Sequence, residues 1–150
     1  MKAHDVIEEL FPRLNSTNYT ITSCATVKYN CVAWAVGDIG RWWEAGPPTK
    51  GYYWPPGVED GDSVDDWGKL FQLHGYTESA NQDHEKGFEK IAIYADNEGA
   101  QHVARQLQGG KWTSKLGNLS DVEHANLAVL EGTYGNVVRI MKRARPDWDQ

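Results

Sequence analysis

Gln108-Gly109-Gly110 separates two runs that favour extended backbone, His102 to Leu107 and Lys111 to Leu116. Glycines between two such runs allow the positive φ angles of a tight reversal, so the pair reads as a β-hairpin. Upstream, Lys90-Ile91-Ala92-Ile93-Tyr94 reads as a short buried strand, and Asp96-Asn97-Glu98-Gly99 as the turn that follows it. Downstream, Tyr134 to Met141 alternates loosely and closes the fold as a strand or a short helix. A small antiparallel sheet is therefore expected.

The remaining elements are helical or irregular. Val6, Ile7, Leu10 and Phe11 recur at helical spacing within residues 4–14, and Pro12 ends or bends that helix. Asn15-Ser16-Thr17-Asn18 is a turn, and residues 19–28, rich in Thr, Tyr, Ile and Val, are expected to be extended. Asn30 is a suitable N-cap for a short apolar helix over 31–36, ended near Gly37 or Gly40. A second helix is expected over 63–74, with Ser63 as its cap and Val64, Trp67, Leu70 and Phe71 on one face. Residues 77–87 read as loop, 121–130 as a helix, and 143–150 as a charged, solvated tail. Residues 41–62 hold four prolines and repeated glycines, which forbid a long regular element. They also hold Trp42, Trp43, Tyr53 and Trp54, too much aromatic surface for a disordered linker. An ordered aromatic loop that packs on the body or walls a cleft is expected. The 150 residues suit a single domain, 1–150, with no internal linker or repeat.

Charge and cysteine usage exclude several classes. A net charge of −6 argues against a nucleic-acid binder or a protein drawn to anionic membranes. No window approaches the run of about 18 apolar residues that a spanning helix needs. Acidic residues stand where a signal peptide needs an apolar run, so a cytoplasmic location is expected, unless a specialised system exports the chain. Cys24 and Cys31 do not make a disulfide framework and read as free thiols. The five histidines are scattered and no phosphate or dinucleotide glycine loop is present, so no metal and no cofactor is expected.

What remains is Cys31 and His102. A cysteine directly after a cap-like Asn30 sits at a helix start, where backbone N–H groups favour the thiolate. An imidazole beside it would favour the thiolate further and could shuttle a proton. That requires helix 31–36 to pack on the sheet that carries His102. The backbone N–H of Cys31, and the side chain of Asn30, are candidates for holding an oxyanion. The bland readings are a buried small hydrophobe for Cys31, a surface strand residue for His102 and a plain N-cap for Asn30.

The stretch from His102 to Ser114 resembles the histidine-bearing hairpin of the NlpC/P60 cysteine peptidases. In that family a strand precedes the hairpin, here Ile91 to Tyr94, and a third polar residue follows the histidine by about twelve positions. That position falls on Ser114. Asn30-Cys31 is similar to the family's Asp-Cys motif, and the order Cys, His, polar residue matches the wider papain-like superfamily. The phrases 29–35 and 112–117 also resemble a small bacterial family without an assigned activity. The chain departs from the peptidases in Val32-Ala33, where they usually carry Ser-Gly, and in the uncharged Ser114. Asn118, Asp121 and His124 are alternative third residues.

The resemblance implies an α+β, papain-like fold with N-terminal helices packed on a small antiparallel sheet. It implies a cysteine hydrolase acting on a peptide or other amide, with Cys31 as nucleophile, His102 as base and Ser114 orienting His102. Trp42, Trp43, Tyr53 and Trp54 would wall the cleft. Two alternatives stand beside it: a non-catalytic binding or regulatory module with a protein partner, and an aromatic-lined ligand binder.

Overall fold

The computed structural model describes residues 2–45, 51–58 and 61–148. Helix α1, Ala3–Leu10, stops ahead of Pro12 and buries Ile7, with Phe11 and Leu14 continuing its apolar face. Strand β1 covers only Tyr19–Ile21. The extended run expected to 28 leaves the ladder early: Ser23 Oγ accepts the backbone N–H of Asp121 at 2.9 Å, replacing a backbone partner. Helix α2, Cys31–Val36, is capped by Asn30, whose Oδ1 accepts the N–H of Ala33 at 3.2 Å. Gly37 closes it in the left-handed conformation, φ 93°. Helix α3, Val64–Leu73, starts at Ser63, whose hydroxyl accepts the N–H of Asp66 at 3.0 Å.

The strands that follow are β2, Thr77–Glu78; β3, Phe88–Asp96; β4, Gly99–Gln106; β5, Trp112–Lys115; β6, Asp121–His124; and β7, Asn136–Ala144. Together with β1 they form a seven-stranded sheet in the order β1-β6-β5-β4-β3-β7-β2, with every pairing antiparallel. The expected hairpin is present as β4 and β5, and the expected α+β class holds. The alternation of a strand sorts the core onto two faces. Ile91, Ile93, Val103 and Met141 pack with α2 and α3, whereas Ala92, Tyr94, Ala104, Trp112 and Val122 pack with α1. The helices thus lie on both faces of the sheet. Among the described residues no helix is long and apolar enough to cross a membrane.

Three expectations fail for identifiable reasons. Residues 121–130 are not a helix. Asp121–His124 pairs with β5 on one side and β1 on the other, which satisfies its backbone from two edges. Asn126 then caps a separate 3-10 turn, Leu127–Leu130. The charged tail is not solvated at its start: β7 runs through Ala144, Arg143 and Arg145 reach Glu89, and Trp148 is buried. The loop 77–87 begins with a short strand, β2, paired to β7.

The aromatic segment is ordered where it is described. Trp43 and Tyr53 form a bridge, and their rings meet edge to face with centroids 4.7 Å apart. The guanidinium of Arg41 sits 3.5 Å from the Tyr53 ring centroid. Positions 46–50 and 59–60 of the expected loop, and 149–150 of the expected tail, lie outside the described residues.

Candidate active site

Asn30 ties α2 to the aromatic loop as well as starting the helix. Its Oδ1 also accepts the backbone N–H of Trp43 at 3.1 Å, and its Nδ2 donates to the Trp43 carbonyl at 2.6 Å. Both lone pairs of the amide oxygen are thereby used. Any oxyanion role falls to the second N–H of Nδ2. The N-cap reading of Asn30 is correct, and its larger structural duty is the clamp on Trp43.

Cys31 therefore stands at the foot of a helix held at both ends. Cys31 is buried, with 9 % of its surface exposed, and Cys24 is exposed; neither is disulfide-bonded. A cavity of about 440 Å³ opens at Cys31 and is bounded by Asn30, Trp42, Trp43, Trp54, Trp67, His102 and Tyr134. Cys31 and His102 both border this space, although α3, β2 and β3 lie between them in the sequence. Trp42, Trp43 and Trp54 wall it as expected. Tyr53 does not: it borders a separate, shallower groove with Arg41 and His74. Neighbouring side chains of an extended segment point to opposite sides, and Tyr53 is turned away by its contacts with Trp43 and Arg41.

The β4–β5 pairing beside this cavity is short. The β4–β5 ladder pairs Arg105 with Thr113 and Gln106 with Trp112, and stops there. Beyond its end the backbone of Val103 is free to hydrogen-bond the Cys31 thiol. On β4, His102 falls on the Ala104 face, opposite Tyr94 of β3. Side chains take over where the backbone ladder ends. His102 Nε2 lies 2.9 Å from Ser114 Oγ, Ser114 Oγ lies 2.9 Å from His124 Nε2, and His124 Nδ1 lies 2.9 Å from the Asn126 carbonyl. All three side chains are buried. The other ring nitrogen of His102, Nδ1, is buried and has no hydrogen-bond partner among the described residues. It is not hydrogen-bonded to Cys31 in the resting protein.

Burial pushes the Cys31 thiol up to about 11. Hydrogen bonds from the backbone of Val103, Val32 and Cys31 itself, and the nearby Lys115 ammonium, pull it back only in part. The helix start does favour the thiolate, as its sequence suggests, but desolvation is the larger effect. Burial, and to a lesser degree the neighbouring His124, hold His102 well below the ordinary imidazole value. The resting pair is a neutral thiol and a neutral imidazole. An uncharged base that reaches a protonated thiol can remove its proton during attack, as an imidazole does for a serine hydroxyl.

Of the alternative third residues, Asn118 is exposed on the turn after β5. Asp121 is buried but belongs elsewhere, accepting the hydroxyl of Tyr29. His124 joins Ser114 instead of competing with it. Tyr134, which the sequence marks only as the start of the last element, joins the site. Its ring lies parallel to that of His102, and Gly135 at φ 84° makes the placement possible: a Cβ there would stand 2.1 Å from the Ala95 carbonyl oxygen. Among the described residues no group of three His, Cys, Asp or Glu side chains is arranged to hold a metal ion.

A family model described as a domain of unknown function (DUF7689) matches residues 20–142. No curated protein and no solved structure matches the chain.

Proposed function

The chain belongs to the DUF7689 family, a domain of unknown function, and we propose that it is a cysteine hydrolase of papain-like arrangement. One observation carries this reading: the Nδ1 atom of His102 is buried and unpartnered, in a residue that borders the same cavity as the Cys31 thiol. Leaving such an atom unpaired costs about 1–3 kcal/mol, and here the atom is a proton acceptor on a residue of the cavity wall. The order of helix-start cysteine, strand histidine and polar residue on the next strand also resembles the papain-like superfamily.

In the proposed reaction the Cys31 sulfur attacks the carbonyl carbon of an amide or thioester. The thiol proton passes to Nδ1 of His102 as the carbon–sulfur bond forms. The tetrahedral oxyanion is held by the Cys31 backbone N–H and the remaining N–H of Asn30 Nδ2. Collapse breaks the bond to the leaving group, which takes the proton from His102. Water then attacks the acyl–sulfur bond, giving its proton to His102, and the acid leaves with Cys31 restored as a thiol. The tryptophans of the cavity wall supply apolar contact for the substrate.

The test is acyl transfer to Cys31. Incubation with a panel of peptide thioesters, followed by peptide mapping, should place an acyl group on Cys31 and not on exposed Cys24. His102→Gln should slow acylation at least tenfold while leaving the fold intact. No Cys31 adduct across the panel, or equal rates in His102→Gln, rules the reading out.

The raised thiol pKa favours a second reading, a ligand-binding domain whose cavity happens to contain an unreactive cysteine. On that reading Cys31→Ala keeps full ligand binding, followed by tryptophan fluorescence, and no acyl adduct forms.

A further inference from the structure

We infer that the backbone carbonyl of Asn126, acting through His124 and Ser114, decides which nitrogen of His102 carries its proton. His124 is then a positioning residue for the base, four groups removed from the reacting carbon. The catalytic consequence rests on the reading above; the proton arrangement itself does not.

The hydrogen-bond chain has one consistent direction. A carbonyl oxygen only accepts, so the 2.9 Å contact with Asn126 requires a proton on His124 Nδ1. A neutral imidazole has a single N–H, which leaves His124 Nε2 as an acceptor. The Ser114 hydroxyl, 2.9 Å away, must donate to it. That uses the hydroxyl's only proton, so Ser114 Oγ meets His102 as an acceptor, and His102 Nε2 must donate at 2.9 Å. The lone pair of His102 is then left on Nδ1, the atom without a partner. Reversing the chain would set a nitrogen lone pair of His124 against the carbonyl lone pairs of Asn126.

Both rings are neutral, as the direction requires. Burial is the main cause of the lowered pKa at each, and it holds His124 at about 4. The relay also explains why an uncharged Ser114 suffices. A serine cannot stabilise an imidazolium as a carboxylate does. It can pass on a proton direction that a fixed carbonyl has already set. Tyr134, stacked on the ring of His102, resists the ring flip that would exchange the two nitrogens.

Nitrogen-15 imidazole NMR of the full-length resting protein at neutral pH tests this without any substrate. The expected spectrum has His102 protonated at Nε2 and His124 protonated at Nδ1. A His102 proton on Nδ1 overturns the inference, and needs no variant to do so. In His124→Ala and in Ser114→Ala, His102 should shift to a mixture of tautomers or to Nδ1–H. His124→Gln, whose side-chain oxygen can accept the Ser114 hydroxyl, should restore Nε2–H. An unchanged single Nε2–H tautomer in both alanine variants also overturns it. If the tautomers are as expected and Cys31 is never acylated, the hydrolase reading falls and the relay stands.

Discussion

His102 lies flat against Tyr134, with ring centroids 4.1 Å apart and planes 3° from parallel. Tyr94 packs beside the stack, its centroid 5.4 Å from that of His102 and 6.2 Å from that of Tyr134. The stacked face and the Tyr94 contact together resist rotation of the imidazole. The stack is a property of two distant segments, β4 and the turn before β7, and ties the histidine to the far end of the chain.

The stack predicts a graded response at position 134. Tyr134→Phe keeps the ring and should change stability by less than about 1 kcal/mol in urea unfolding. Tyr134→Ala removes the ring and opens a void beside His102. Loss of a large buried aromatic costs about 3–5 kcal/mol, and a partly covered tyrosine belongs at the lower end. The alanine variant should also lose the single His102 imidazole environment in NMR, whereas the phenylalanine variant should retain it. Equal losses in the two variants would show that the hydroxyl, not the stack, matters.

Cys31 predicts how stability changes on the alkaline side. Its thiol is raised from 9.0 to about 11 by burial, so the folded protein binds this proton more tightly than the unfolded chain does. The contribution is complete below the unfolded value, about 9, and is lost as pH rises toward 11. The size is about 2–3 kcal/mol. Comparing urea midpoints of the wild type and Cys31→Ala at pH 7.5 and pH 10.5 isolates it from the tyrosines and lysines common to both. The difference between the two proteins should narrow or reverse at high pH. A difference that does not vary with pH would mean that the thiol is far less buried than it stands here.

Much of this arrangement was legible in the sequence, and the parts that were not have a common cause. Asn30, Cys31 and Gly37 specify α2 locally, by cap, apolar run and left-handed stop, and α2 has the bounds expected of it. The two glycines after Gln108 likewise mark the β4–β5 hairpin. Asp121–His124 reads helical because its fate is not local. It becomes a strand only because β1 and β5 flank it, and β1 is about a hundred residues away. His124, within the run that reads as helix, is instead buried on a strand beside Ser114. Tyr134 could be found only through its non-local stack. Its one sequence signal is the following Gly135, the kind of residue that permits close approach of two backbones.

His124 predicts the acid limb. Burial lowers it from 6.5 to about 4, so the unfolded chain takes up this proton first as pH falls. The stabilisation is complete above about 6.5 and is lost progressively down to about 4. His124 alone accounts for about 3 kcal/mol of that loss, and His102, also lowered by burial, adds to it in the same direction. His124→Gln should therefore flatten the fall in urea midpoint between pH 7 and pH 4.5. If the variant and the wild type lose stability in parallel over that interval, His124 is not the neutral buried group described here.

Glu89 on β3 lies on the sheet face that packs against α2, and predicts a coupling between its arginine cluster and Cys31. Its side chain is fully buried and receives Arg105 Nε at 2.8 Å, Arg143 Nη2 at 2.6 Å, Arg145 Nη1 at 3.2 Å and the Tyr76 hydroxyl at 3.1 Å. Burial alone would raise its pKa, but the guanidinium groups of Arg105 and Arg143 more than offset this and hold it below the usual carboxylate range. Its stabilisation is accordingly present above about pH 4.3 and lost as pH falls below it. Removing the one negative charge leaves three guanidinium groups facing each other, so Glu89→Gln should cost about 3–5 kcal/mol. Arg145→Ala should cost less than about 1 kcal/mol, because Arg145 is the most exposed of the three and makes the longest contact. The coupling runs through Arg105. Its Nη1 donates to the Trp34 carbonyl of α2 at 3.3 Å, and its guanidinium covers the Trp34 ring at 5.0 Å. Once Glu89 no longer fixes Arg105, α2 loses that hold, and the Cys31 thiol at its other end becomes more accessible. Iodoacetamide labelling of Cys31 at pH 8 should therefore be faster in Glu89→Gln than in the wild type, at urea concentrations where both remain folded. Labelling that accelerates only in step with global unfolding would show that Glu89 stabilises the sheet without governing α2.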